Sequence, residues 1–184
     1  MKIYRIEYDA DNYQHLEQDF DETTDFAIMD ERLEKWESLS RCQSLTKPLT
    51  PPEVLSPRPK LNTPDFWYFS PYHTFAMSPA SLEKVLPFLE EAGELLPIPY
   101  RSEIFSALNV LVCVDYQVFP EDTAGRLHQE HAAGSIPSGI FRDSKGVYLY
   151  VSELTGTSTN EFKAYVENEE MTGLIFRQVW DSKR

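Results

Sequence analysis

Val147-Tyr-Leu-Tyr-Val-Ser152, Asn160-Glu-Phe-Lys-Ala-Tyr-Val-Glu167 and Thr172-Gly-Leu-Ile-Phe-Arg-Gln-Val-Trp180 follow one another in the last forty residues, and their reading decides the fold class. The first is an apolar strand. The second puts Phe162, Tyr165 and Val166 on one face of a short helix, and the third alternates Leu174, Phe176 and Trp180 along one face of a strand. Strand, helix and strand make a βαβ-like unit, with Phe176 and Trp180 expected to face the core.

Working outward, Gly139 to Tyr150 reads as a hairpin that turns at Asp143-Ser-Lys-Gly146, with Gly146 at positive φ. Ile104 to Val114 is too uniformly apolar for a half-exposed strand and predicts a central one covered on both faces. A helix starts at Ser78, whose hydroxyl can cap free N–H groups while Pro79 takes the first helical position. Leu82, Val85, Leu86 and Leu89 form its buried stripe, Pro87 should kink it, and Gly93 suits a left-handed residue past its end. Glu94 to Ile98 then re-enters the core. Glu121 to Ser135 is polar and irregular.

Towards the start, Tyr4, Ile6 and Tyr8 alternate in an edge-compatible strand over residues 2–8, and an acidic loop runs from Asp9 to Asp25. Phe26, Met29, Leu33 and Trp36 recur at helical spacing and leave Asp30, Glu31, Glu34 and Glu37 for the outer face. Six prolines between Pro48 and Pro64 exclude helix and central strand and predict an extended surface strap; a polyproline ligand is the functional alternative. The sum is a single α+β domain. Its mixed, mainly antiparallel sheet is covered by two or three helices, with the proline-rich strap over residues 48–64 between an acidic part (1–47) and the remainder (65–184).

The composition bounds the function. With 184 residues, 41% hydrophobic and 13% aromatic, the chain can bury a real core. No run approaches the roughly 20 apolar residues of a membrane span, and Met1 to Tyr8 does not read as a signal peptide, so a cytoplasmic protein without membrane contact is expected. Two cysteines do not make a disulfide framework: Cys42 lies near a loop and Cys113 inside an apolar run, and two free thiols are expected.

The formal net charge is −13, and the first forty residues hold twelve Asp/Glu against four Lys/Arg, a net −8. Acid so concentrated argues against direct nucleic-acid binding, which needs a cationic surface. Either these carboxylates solvate a loop and an outer helix face, or they meet a basic partner. On the second reading the partner-binding candidates are Asp19, Asp21, Glu22, Asp25, Glu31 and Glu34.

Catalytic signatures are missing. His128-Gln-Glu-His131 lacks zincin spacing and a third ligand, and there is no nucleophile elbow, phosphate loop or dinucleotide fingerprint. Cys113 among apolar neighbours would be an inert thiol, and paired carboxylates such as Asp19/Asp21 or Glu90/Glu91 are unremarkable in so acidic a chain. No enzyme, cofactor or metal is expected.

Ser78-Pro79, Leu86-Pro87, Gly93-Glu94-Leu95-Leu96-Pro97 and Leu108-Asn109, taken with the closing strand–helix–strand blocks, resemble a bacterial immunity family of the polymorphic toxin systems, immunity family eleven. The resemblance spans residues 66–180. Its matching positions are Gly93, Glu94, Leu96, Pro97, Asn109, Asp115, Phe141, Ser152, Phe162, Val166, Thr172, Gly173, Phe176, Val179 and Trp180. The Leu154-Thr-Gly-Thr-Ser-Thr159 loop is longer than the family's, and the acidic N-terminal third has no counterpart in it. The resemblance implies a protein that binds a cognate toxin and neutralises it by occluding its active site, with no catalytic residues. Two other classes stay open: an acidic nucleic-acid mimic that blocks a DNA-binding protein, and an enzyme assembled from Tyr72, His73, His128 and His131. The toxin's identity and the oligomeric state, a homo-oligomer included, are not legible.

Overall fold

A computed structural model describes residues 1–18, 41–45, 54–70, 73–114, 136, 139–143, 148–153 and 161–181. In chain order the described elements are β1 (Lys2–Tyr8), β2 (Leu16–Gln18), β3 (Val54–Leu55), β4 (Phe66–Ser70), β5 (Thr74–Met77), α1 (Pro79–Leu89), β6 (Gly93–Tyr100), β7 (Glu103–Val110), β8 (Cys113–Val114), β9 (Gly139–Asp143), β10 (Leu149–Glu153), α2 (Phe162–Asn168) and β11 (Leu174–Asp181). The architecture is α+β and mainly antiparallel, as read from the sequence, but the strands divide between two sheets. One has the order β11-β1-β10-β9-β8; the other, β3-β2-β4-β5-β7-β6, curls until its edge strands β3 and β6 touch. Only β2–β4 and β8–β9 pair in parallel among these ladders. The Phe26–Trp36 helix, the Glu121–Ser135 segment and Gly146 lie outside the described residues.

β1 is not an edge strand. It lies between β10 and β11 and is antiparallel to both, so β10 and β11 run parallel to each other. The strand–helix–strand unit is therefore present, with β1 inserted between its two strands. Residues 65–184 contain the contiguous strands β4-β5-β7-β6, but their β10 and β11 are joined only through β1. The expected acidic loop also gives way to structure at Leu16, which is fully buried as β2 joins β4. The described part of the strap, from Val54 to Pro64, lies against this segment: Gln14 donates to the Leu61 carbonyl at 2.8 Å and accepts from Ser56 Oγ at 3.3 Å.

The main core fills the space between the sheets and is closed by both helices. Tyr4 and Ile6 of β1, Phe66, Phe75 and Met77 of β4 and β5, Leu108 and Val110 of β7, Val85 and Leu89 of α1, and Phe162 and Val166 of α2 meet there. A second cluster, with Leu16, Trp67, Phe69, Ile98 and Phe105, lies on the other face of the curled sheet. A third, with Ile3, Phe141, Tyr150 and Trp180, covers the opposite face of the β1 sheet. Trp180 reaches it through a bulge. Ile3 pairs with Trp180 but Tyr4 with Gln178, so Val179 is an extra residue that reverses the alternation. Phe176 consequently packs on the main core and Trp180 on the third cluster, not together as the simple alternation predicts.

α1 forms where its local signals place it. Ser78 is the N-cap, its Oγ accepting from the Ser81 N–H at 3.3 Å, and the helix runs on through Pro87, whose ring is exposed. Gly93 is not the left-handed residue after this helix. It opens β6, and a Cβ there would sit 1.9 Å from the Asn109 carbonyl oxygen, so glycine is required by the closeness of β7. Pro97 and Pro99 share one side of β6 and fit because β6, among the described residues, is an edge strand paired with β7 alone. β7 is central between β5 and β6, yet the apolar run does not continue as one strand. It breaks at Leu111 and Val112, where the chain passes to the other sheet, and Ile104 is exposed.

That break overturns the expected pair of free thiols. Cys113 emerges on the short edge strand β8, exposed to solvent, and is disulfide-bonded to Cys42, with the two Cα atoms 5.7 Å apart. Among the described residues, no helix is long and apolar enough to cross a membrane.

A polar joint couples the sheets at Thr172 and Gly173. Asp65 Oδ2 accepts from the Thr172 N–H at 2.9 Å and from its hydroxyl at 3.0 Å, while the Phe66 N–H donates to the Thr172 carbonyl. Gly173 has φ +101°, and a Cβ would lie 2.1 Å from the Phe66 oxygen. Gly173→Ala should therefore destabilise the protein by at least about 3 kcal/mol, against about 1 kcal/mol for Gly139→Ala, which has a positive φ but open space around it. Urea unfolding checks this; equal costs would mean that β4 yields. Trp180→Ala should cost about 3–5 kcal/mol by emptying a buried site, and half-buried Phe176→Ala measurably less. The reverse order in thermal melts would contradict the bulge.

Candidate functional site

Arg142 occupies the inward side of β9, sharing the parity of Ile140, and its whole side chain is buried. A guanidinium in such a place must be hydrogen-bonded. Its Nη2 donates to the His73 carbonyl at 3.0 Å, so β9 of one sheet grips the turn between β4 and β5 of the other. His73 has φ +47°, a left-handed conformation that histidine adopts more readily than most residues but that still needs holding. The grip on its carbonyl supplies part of that restraint.

Two tyrosines complete the cluster. The ring of Tyr8, at the end of β1, stacks on that of Tyr68 in β4 with centroids 4.3 Å apart, and the Tyr68 hydroxyl lies 3.2 Å from His73 Nδ1. The Tyr8 hydroxyl is buried with no hydrogen-bond partner among the described residues. Burial drives its pKa up; the nearby Arg142 charge opposes that shift without cancelling it. Burial also raises Tyr68 and lowers Arg142, the latter offset in part by Tyr8 and Asp143. The His73 pKa is lowered by partial burial first and by the Arg142 charge second. The result is a neutral imidazole at the surface, braced by a phenol and backed by a buried cation. Solutes can reach His73 and the edge of Tyr68; Arg142 and the Tyr8 hydroxyl are enclosed and act on them through the fold.

A second polar junction lies on the curled sheet. Glu94 Oε1 accepts from the Leu45 N–H at 2.8 Å and from Asn109 Nδ2 at 2.7 Å, and Glu94 Oε2 accepts from Ser44 Oγ at 3.1 Å. Asn109 Nδ2 also donates to the Gln43 carbonyl at 2.9 Å. Residues 43–45 are thus tied to β6 and β7, next to the Cys42–Cys113 bond. Gly93, Glu94 and Asn109 converge here, and Thr172 and Gly173 converge on the joint with Asp65. These positions hold elements together.

The six acidic candidates, Asp19, Asp21, Glu22, Asp25, Glu31 and Glu34, lie outside the described residues, as do Tyr72, His128 and His131. Of the residues named for an assembled enzyme site, His73 is the one the structure describes. Cys113 is an exposed disulfide sulfur, not an inert buried thiol. Arg142 and Tyr68 as partners of His73, and Tyr8 as the ring stacked on Tyr68, are not legible in the sequence. The available signal was a lone arginine at an inward position of an apolar hairpin strand. Among the described residues, no three His, Cys, Asp or Glu side chains are grouped as a metal site would require. Comparison of the chain with family models, with curated proteins and with solved structures gives no match.

The lowered His73 pKa fixes a sign. Well above pH 6.5 folded and unfolded states both keep the ring neutral; as pH falls through that value the unfolded chain takes up a proton that the folded protein resists, and stability is lost. Thermal melts between pH 7.5 and 5.5 should show a steeper fall for the parent than for His73→Asn, which tolerates the left-handed backbone but does not titrate. Parallel curves would remove His73 from the account.

Proposed function

We propose that this chain is a binding protein that neutralises a cognate bacterial toxin by covering its active site, with the acidic stretch supplying much of the recognition. The observation that carries the reading is the charge distribution. Residues 19–40 alone hold eight Asp/Glu against two Lys/Arg, nearly half of the net −13 in about an eighth of the chain. Both flanks of that stretch are anchored, at β2 before it and by Cys42 after it. A basic toxin would be drawn to such a concentration of negative charge from beyond contact distance. The resemblance to the immunity family supports the same reading, through positions that build joints in the fold.

The Tyr68–His73 pair favours a second reading, an enzyme with His73 as its proton acceptor, because a neutral imidazole at the surface has the protonation state that a general base needs. Co-expression with the neighbouring toxin gene separates the two. A folded His73→Asn variant protects growth if the protein works by binding, and loses protection if it works by catalysis.

The acidic candidates yield a kinetic prediction. Reversing Asp21, Glu22 and Asp25 to Lys should slow association with the toxin by at least about tenfold at low salt and flatten its salt dependence, with dissociation changed less. Stopped-flow or surface-binding kinetics over a salt series reads this. An unchanged association rate would make the acid a solvated surface.

A further inference from the structure

We infer that the Cys42–Cys113 bond is a thiol-exchange site, attacked at Cys113, whose opening unfastens residues 43–45 from the curled sheet while the two sheets stay folded. Cys113 is exposed and Cys42 is less so, which gives an incoming thiolate a route to the Cys113 sulfur. The bond closes a loop of 71 residues, yet neither cysteine belongs to the main core. Cys42 itself sits at φ +53°, a left-handed conformation unusual for cysteine.

What remains after opening is polar and partly exposed. The Glu94 carboxylate, the Asn109 amide and the half-buried Leu45 side chain hold the segment, and the two bonds of the Glu94 carboxylate to Ser44 and Leu45 are open to competition by water. The covalent bond keeps the segment beside these partners and so raises their effective concentration; without it the contacts must hold the segment alone.

The chemistry balances with a low-molecular-weight thiol as reductant. Its thiolate attacks the Cys113 sulfur, the disulfide breaks, and Cys42 leaves as a thiolate that takes a proton from water. A second thiolate then displaces Cys113 from the mixed disulfide as a thiolate that takes up a proton, so the protein's disulfide is reduced to two thiols as two reductant thiols are oxidised to one disulfide. Disulfides in a reducing compartment are mostly of this reversible kind. The consequence for recognition rests on the proposed toxin binding: the segment released is the one from which the acidic stretch departs.

The test needs no partner. Purified protein is treated with dithiothreitol without denaturant, followed by thiol alkylation with mass readout and by hydrogen exchange. Expected are no alkylated cysteine before reduction and two after it, with amide exchange at Leu45 faster by at least about tenfold while amides of β1, β4 and β10 keep their protection. A Cys42→Ser/Cys113→Ser variant should reproduce the fast Leu45 exchange without reductant. Alkylation of both cysteines in the untreated protein, resistance to dithiothreitol in the absence of denaturant, or loss of protection throughout both sheets would each overturn the inference. Failure of toxin binding would leave these readouts untouched, and their failure would leave neutralisation standing.

Discussion

Phe162 is the side chain on which the two sheets and both described helices converge. It stands on α2, crosses Phe66 of β4 edge-on at 5.8 Å, stacks on Phe75 of β5 at 6.1 Å, and meets Phe176 of β11 and Phe88 of α1 at 6.1 and 6.3 Å. Neither sheet could bury its inward face without the other. The main core is therefore shared, and a cavity at Phe162 would weaken contacts from four elements together. The Asp65–Thr172 hydrogen bonds and the Arg142 grip on His73 then fix where the sheets meet: polar joints set the position of an interface whose stability comes from aromatic packing.

What was legible in the sequence is what local chemistry dictates. The cap at Ser78, the proline after it and the stripe of Val85 and Leu89 all act within a few turns of one helix, and they gave α1 its start and its buried face. β1 and α2 were equally plain from alternation and spacing. The errors arose where a residue's role depends on a distant neighbour. Gly93 looks like a helix terminator until Asn109 of β7 is placed against it. Trp180 follows the parity of Phe176 until an unpaired Val179 reverses it. The two cysteines read as separate thiols because the apolar run containing Cys113 gives no sign of ending on another sheet.

The candidate site was less legible than the fold, for the same physical reason. His73 and Tyr68 are five residues apart and could be associated by inspection, but Arg142 lies 69 residues from His73 and joins it only because β9 and the β4–β5 turn face each other across the core. Nor does any local pattern announce that Glu94 and Asn109 would accept and donate to the same short segment. At Gly93 and Gly173 the residue type is dictated by the close approach of another strand, a constraint that no neighbouring residue in the sequence announces.

The insertion of β1 between β10 and β11 bears on how the molecule comes to be made. Its register joins Ile3 to Ser152 on one side and to Trp180 on the other, separations close to the whole length of the chain. During synthesis β1 leaves the ribosome long before either neighbour exists, and the curled sheet, whose strands lie closer in sequence, can be completed first. Contacts this remote are slow to find because closing so large a loop must precede any gain from pairing. Until then β1 is an alternating strand with both edges bare, open to pairing with another nascent chain.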